Sequence, residues 1–126
     1  MKRCLYIFAM LTTLFSFKVQ TVLEDVVSSL KRGNSTQIAV NLDQQVALTL
    51  PQNTGSYGQA RASKILADFL NEKTVKNFNV LHLGDNEQAQ FCIGVLSTRK
   101  GDYRTTIFLR QRQGRFVVQE IRFESN

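Results

Sequence analysis

A chain of 126 residues has room for one domain and too little for two. Hydrophobic residues make up 43% and charged residues 21%, which excludes the apolar-poor, highly charged composition of a disordered chain. The formal charge of +6 shrinks once Lys2, Arg3 and Lys18 are set aside: all ten acids lie beyond residue 20, against thirteen basic residues, and the remaining +3 is no nucleic-acid signature.

Met1-Lys2-Arg3 is a short basic start, and Cys4 to Phe17 (CLYIFAMLTTLFSF) is apolar except for small hydroxyl residues. A membrane-spanning helix needs about 20 apolar residues. This run is shorter and ends at Lys18, so residues 1–20 are expected to form a cleavable signal peptide, with an uncleaved anchor as the alternative. The mature N-terminus should fall between residues 18 and 23. Export to the periplasm is the expected fate, with secretion the other option. A lipid-anchoring Cys would follow the apolar run, whereas Cys4 precedes it, so no stable membrane anchor is expected after cleavage. Only Cys92 then remains, which leaves no internal disulfide; in the apolar run Phe91 to Leu96 it reads as a buried, inert thiol.

Leu23, Val26, Val27 and Leu30 recur at helical spacing, with Glu24 and Asp25 early and Lys31 and Arg32 late. These charges complement the helix dipole, and Gly33 supplies the stop. Asn34-Ser35-Thr36 offers N-cap candidates for a short second helix over 37–42. Val46, Leu48 and Leu50 alternate, predicting a strand over 45–50 that ends at Pro51. Residues 52–55 read as a loop. Ser56, with Gln59 three residues on, has the pattern of a capping box, and Ala62, Ile65, Leu66, Phe69 and Leu70 form the apolar stripe of a third helix. Four strands follow, over 78–83, 90–98, 103–111 and 115–123, separated by Gly84-Asp85-Asn86, Lys100-Gly101-Asp102 and Gln113-Gly114.

The expected fold is α+β, in the order α-α-β-α-β-β-β-β: helices packed on one face of a curved antiparallel sheet, the cone of the nuclear-transport-factor-2-like fold. Leu23, Val27, Leu30, Ile65 and Phe69 should face the sheet. Several segments carry a resemblance. Leu50-Pro51-Gln52-Asn53-Thr54-Gly55-Ser56-Tyr57 leads into a helix ending Ile65-Leu66-Ala67-Asp68-Phe69-Leu70. His82-Leu83-Gly84, Ile93-Gly94, Gly101-Asp102-Tyr103-Arg104 and Ile121-Arg122-Phe123-Glu124 follow. In this order and spacing, and with the leader, they resemble the bacterial family known as domain of unknown function 4783. The resemblance covers residues 21–126 and implies an exported protein with the cone fold; it implies no reaction.

The sequence holds no G-x-S-x-G, no P-loop and no Cys-His pair close in sequence, so no catalytic residue is assigned. A lone His cannot assemble a metal site, and neither metal nor cofactor is expected. His82 follows Phe78 and Val80 on what reads as one strand face, and so could look into the cone. Tyr57, Tyr103 and Arg104 complete the ligand-pocket candidates; either tyrosine could equally close the core. Arg110, Arg112 and Arg115 surround one turn, either as solvated tips or as a patch for an acidic partner. The reading that follows is an exported, non-catalytic module of the envelope, binding a small molecule or an envelope protein. The alternative is a small enzyme of the ketosteroid-isomerase kind, using general acid–base chemistry. Phe108, Phe116 and Val118 are expected on the outer face of the sheet, with Ile107, Leu109, Val117, Ile121 and Phe123 opposite, and the outer face is expected to form a homodimer.

Overall fold

Thr21 begins the described part of the molecule, residues 21–126 of a computed structural model, and its hydroxyl accepts from the Glu24 amide at 3.1 Å to start the first helix. The expected leader lies outside the described residues. Helix α1 (Val22–Arg32) ends at Gly33, whose φ of 64° is the left-handed conformation that glycine adopts without a Cβ penalty. Asn34 caps α2 (Ser35–Ala39) by accepting from the Gln37 amide, so this helix starts and stops earlier than its apolar pattern suggests. Strand β1 (Leu42–Thr49) follows.

The sequence reads as a loop from residue 52, but the chain turns back on itself. Leu50 and Asn53 exchange backbone hydrogen bonds of 2.7 and 3.3 Å, and β2 (Thr54–Gly58) pairs antiparallel with β1. Thr54, Gly55 and Ser56 carry no apolar signal; β1 supplies the order that local sequence does not. Helix α3 (Gln59–Lys73) consequently begins after Gly58, with no side-chain cap. Ser56 does not cap it, and the side chain of Gln59 instead donates to the Leu42 carbonyl at 3.0 Å.

Strands β3 (Val75–Asp85), β4 (Ala89–Thr98), β5 (Gly101–Arg112) and β6 (Arg115–Ser125) form the expected meander, each slightly longer than its apolar pattern. The sheet order is β2-β1-β6-β5-β4-β3, with β1 and β6 parallel. The helices cover the concave face: Leu23, Leu30 and Phe69 are buried there, and Val27 and Ile65 pack against the same core.

Two of the register shifts in the sheet move residues of interest to the other face. One falls in β6, where Phe108 pairs with Glu120 but Leu109 pairs with Val118, leaving Gln119 as the extra residue. A side-chain period of two is reset by one inserted residue. Val118 is therefore fully buried and Phe116 packs on the core, not on the outer face, while Val117 takes the outer side opposite Arg110. The second falls in β3, where Val80 pairs with Gly94 but His82 with Ile93. His82 thereby shares the outer face with Ile93, away from the helices, and does not look into the cone.

Candidate functional site

One face of α3 carries Ile65, Asp68, Phe69, Glu72 and Lys73, which repeat at the i, i+3, i+4, i+7, i+8 spacing that aligns side chains along a helix. The turn Leu50-Pro51-Gln52-Asn53 stands opposite this face, and between them lies a half-open cleft of about 230 Å³. Leu50, Pro51, Ile65 and Phe69 give it an apolar lining; Asp68, Glu72 and Lys73 bring charge, and Gln52 and Asn53 bring amides.

Phe69 anchors the cleft. Its ring stacks on Phe123 at 4.7 Å and meets Tyr103 edge-on at 5.3 Å. The Lys73 ammonium sits 5.9 Å from the Phe69 ring centre and 5.8 Å from that of Tyr103. The Lys73 side chain is only 21% exposed, its apolar stem covered at the edge of the cleft. Its ion-pair partner, Glu72 Oε1, stands at 3.8 Å, outside hydrogen-bonding distance, and the same oxygen is 3.8 Å from Lys100. Asp68 pairs with Lys64 at 3.1 Å across one helical turn, with both side chains exposed.

The sequence-derived candidates do not come together. Tyr103 is buried beneath Lys73 and closes the core under the cleft. Arg104, its neighbour on the strand, points to the opposite face, beside Val95 and Glu124 in register. His82 shares that outer face. Tyr57 lies half-buried on the concave side of β2, its ring lying against Gly55 and under the Arg61 guanidinium at 5.5 Å. Pro51, Asp68 and Lys73 were legible only indirectly: the cleft joins the two longest family-like segments, Leu50–Tyr57 and Ile65–Leu70, while Tyr103 and Phe123, beneath it, belong to two others.

Among the described residues, Asp43 is the one buried carboxylate, and it is fully engaged: it accepts from Arg112 at 3.0 Å, Gln119 at 3.5 Å and the Gln44 amide at 2.7 Å. Burial pushes the Cys92 thiol up to about 11, so it stays protonated and inert at neutral pH. Among the described residues, no cluster of His, Cys, Asp and Glu could hold a metal ion, and no helix is long and apolar enough to cross a membrane.

Helices on the concave face of this curved sheet define the nuclear-transport-factor-2-like class. A protein of unknown function of that class from Cytophaga hutchinsonii superposes with a TM-score of 0.60 at 10% identity, over 87% of this chain and 95% of its own; at that identity the likeness is one of fold. The sequence profile described as Domain of unknown function (DUF4783) matches residues 23–124, and the chain belongs to that family. A family member from Bacteroides uniformis is similar at 30% identity and a TM-score of 0.80, over 82% of this chain and 95% of its own. Another from Bacteroides fragilis, also 30% identical, has a TM-score of 0.76 over 88% of this chain and 100% of its own. No curated protein matches the sequence.

Proposed function

We propose that this domain is an exported, non-catalytic binding module of the bacterial envelope, and that the cleft between the β1–β2 turn and α3 is where it takes a small ligand. The observation that carries this reading is Lys73: a mostly covered side chain whose ammonium sits over two aromatic rings at the edge of an apolar cleft, with its ion-pair partner beyond hydrogen-bonding distance. A ligand anion would give that ammonium the charge-assisted hydrogen bond that Glu72 does not. The volume of 230 Å³ is below the roughly 300–1,000 Å³ of pockets for drug-sized ligands, which points to a small guest. Acid–base catalysis of the ketosteroid-isomerase kind calls for a carboxyl group in an apolar site. Asp43 is consumed by its own partners, and Asp68 and Glu72 are exposed and lysine-paired, which favours binding over chemistry.

The test is mass spectrometry of small molecules retained by protein purified from its native host, compared with Lys73→Met. A compound carried by the wild type and missing from the variant supports the reading; empty protein in both cases defeats it. N-terminal sequencing of the envelope fraction checks export, and an intact Met1 there would sink that part.

The outer face favours a second role, self-association. Phe91 and Phe108 sit side by side in register, flanked by half-buried Ile93 and Val95. Arg110, Arg112 and Arg115 gather at one end of this face, while Glu120 and Glu124 alternate with Arg122 and Arg104 along the rest of it. A second copy laid antiparallel across the two-fold would cover the phenylalanines of each with those of its partner.

A further inference from the structure

We propose that the guest of the cleft is a free α-amino acid with an apolar side chain, held by both of its charges. This rests on the cleft being a ligand site. Glu72 Oε1 and Lys73 Nζ are 3.8 Å apart, an acceptor and a donor group side by side and not hydrogen-bonded to each other. In an α-amino acid the ammonium nitrogen and the carboxylate carbon are about 2.5 Å apart, from standard bond lengths and angle. Laid antiparallel to the Glu72–Lys73 pair, the α-carboxylate meets the Lys73 ammonium and the α-ammonium meets Glu72. Each protein group then replaces a long ion pair with a charge-assisted hydrogen bond.

Three features narrow the class. Asp68 lies one turn before Glu72 on the same face of α3 but is held by Lys64 at 3.1 Å, which leaves Glu72 as the acceptor for the ligand ammonium. A simple carboxylic acid would leave Glu72 unserved, and a simple amine would leave Lys73 unserved. Leu50, Pro51, Ile65 and Phe69 then receive an aliphatic or aromatic side chain, and the 230 Å³ volume suits one residue better than a peptide. A peptide terminus also offers only one of the two charges.

The experiment is an NMR titration of the whole mature domain, following the Ile65 and Leu50 methyl groups and the Phe69 ring. The probes are L-leucine, N-acetyl-L-leucine, L-leucinamide and isoamyl alcohol. L-leucine should shift these signals saturably, and each blocked or uncharged probe should bind about tenfold more weakly or worse, the loss expected for one charged hydrogen bond. Lys73→Met, which keeps an apolar stem over the rings, and Glu72→Gln, at an exposed position, should each weaken L-leucine by a similar factor. Equal binding of isoamyl alcohol, or of either blocked form, overturns the zwitterion while leaving a ligand cleft intact. Silence from every probe at high millimolar concentration overturns both.

Discussion

On the concave side of the meander, Phe78, Leu96, Ile107, Leu109, Ile121 and Phe123 have no solvent exposure, while across the same strands Phe91, Ile93, Val95 and Phe108 keep part of theirs. Both faces are apolar enough to look like core in the sequence. The difference is what lies on them: three helices and a stack of rings on one, arginines and glutamates interleaved with half-exposed side chains on the other. Apolar residues alone do not define a core. A covering layer does, and the same phenylalanine is worth several kcal/mol with one and much less without it.

The sharpest way to break that comparison is Phe69→Ala. This ring is buried against Phe123 and Tyr103, and its loss should cost about 3–5 kcal/mol in denaturant melts. A loss under about 1 kcal/mol would mean that the concave face is not the core. Next comes Gly94→Ala. A Cβ there would stand 2.5 Å from the Asn79 carbonyl oxygen and 2.6 Å from the Phe78 ring, both fixed in the sheet and core. Overpacking of this kind should cost about 1–3 kcal/mol, read from the same melts.

The outer face should respond differently. Phe108→Glu faces Glu120 in register and lies beside Arg110; it should leave a folded chain, weakened by about 1 kcal/mol or less. Light scattering should then show a dimeric wild type and a monomeric variant. A wild type that stays monomeric at high micromolar concentration removes the dimer. The smallest effect belongs to Gly84→Ala. Its Cβ would meet the Phe91 ring, yet Phe91 is 39% exposed and free to swing into solvent, so the cost should be about 0.5 kcal/mol or less. A penalty as large as that at Gly94 would show that the outer face is packed against something.

The helices and the long strands were legible because each carries its own period: Leu23, Val26 and Leu30 announce α1 without help from elsewhere. Strand β2 was not, because Thr54 to Gly58 is ordered by β1 and not by its own residues. The face of His82 was hidden for a related reason. A bulge is a property of two strands in register, and nothing around Leu81 marks it in one sequence alone. The same limit concealed the cleft: Pro51 and Lys73 are separated by a whole helix in the chain, and only the folded hairpin brings them to one place. Tyr103 and Arg104 looked like a pair because they are adjacent, and adjacency in a strand separates side chains.

The position of β6 sets an order of assembly. It lies between β1 and β5, with Leu48 opposite Ile121 on one side and Ile107 opposite Ile121 on the other. A ribosome delivers β1, β2 and α3 first and the β3–β5 strands next, and these two pieces share no edge until residues 115–125 arrive. The last strand made is thus the keystone, and contacts that span most of a chain are slow to close. Without β6 the sheet is two pieces with open margins, and the domain closes only when residues 115–125 pair with β1 on one side and β5 on the other.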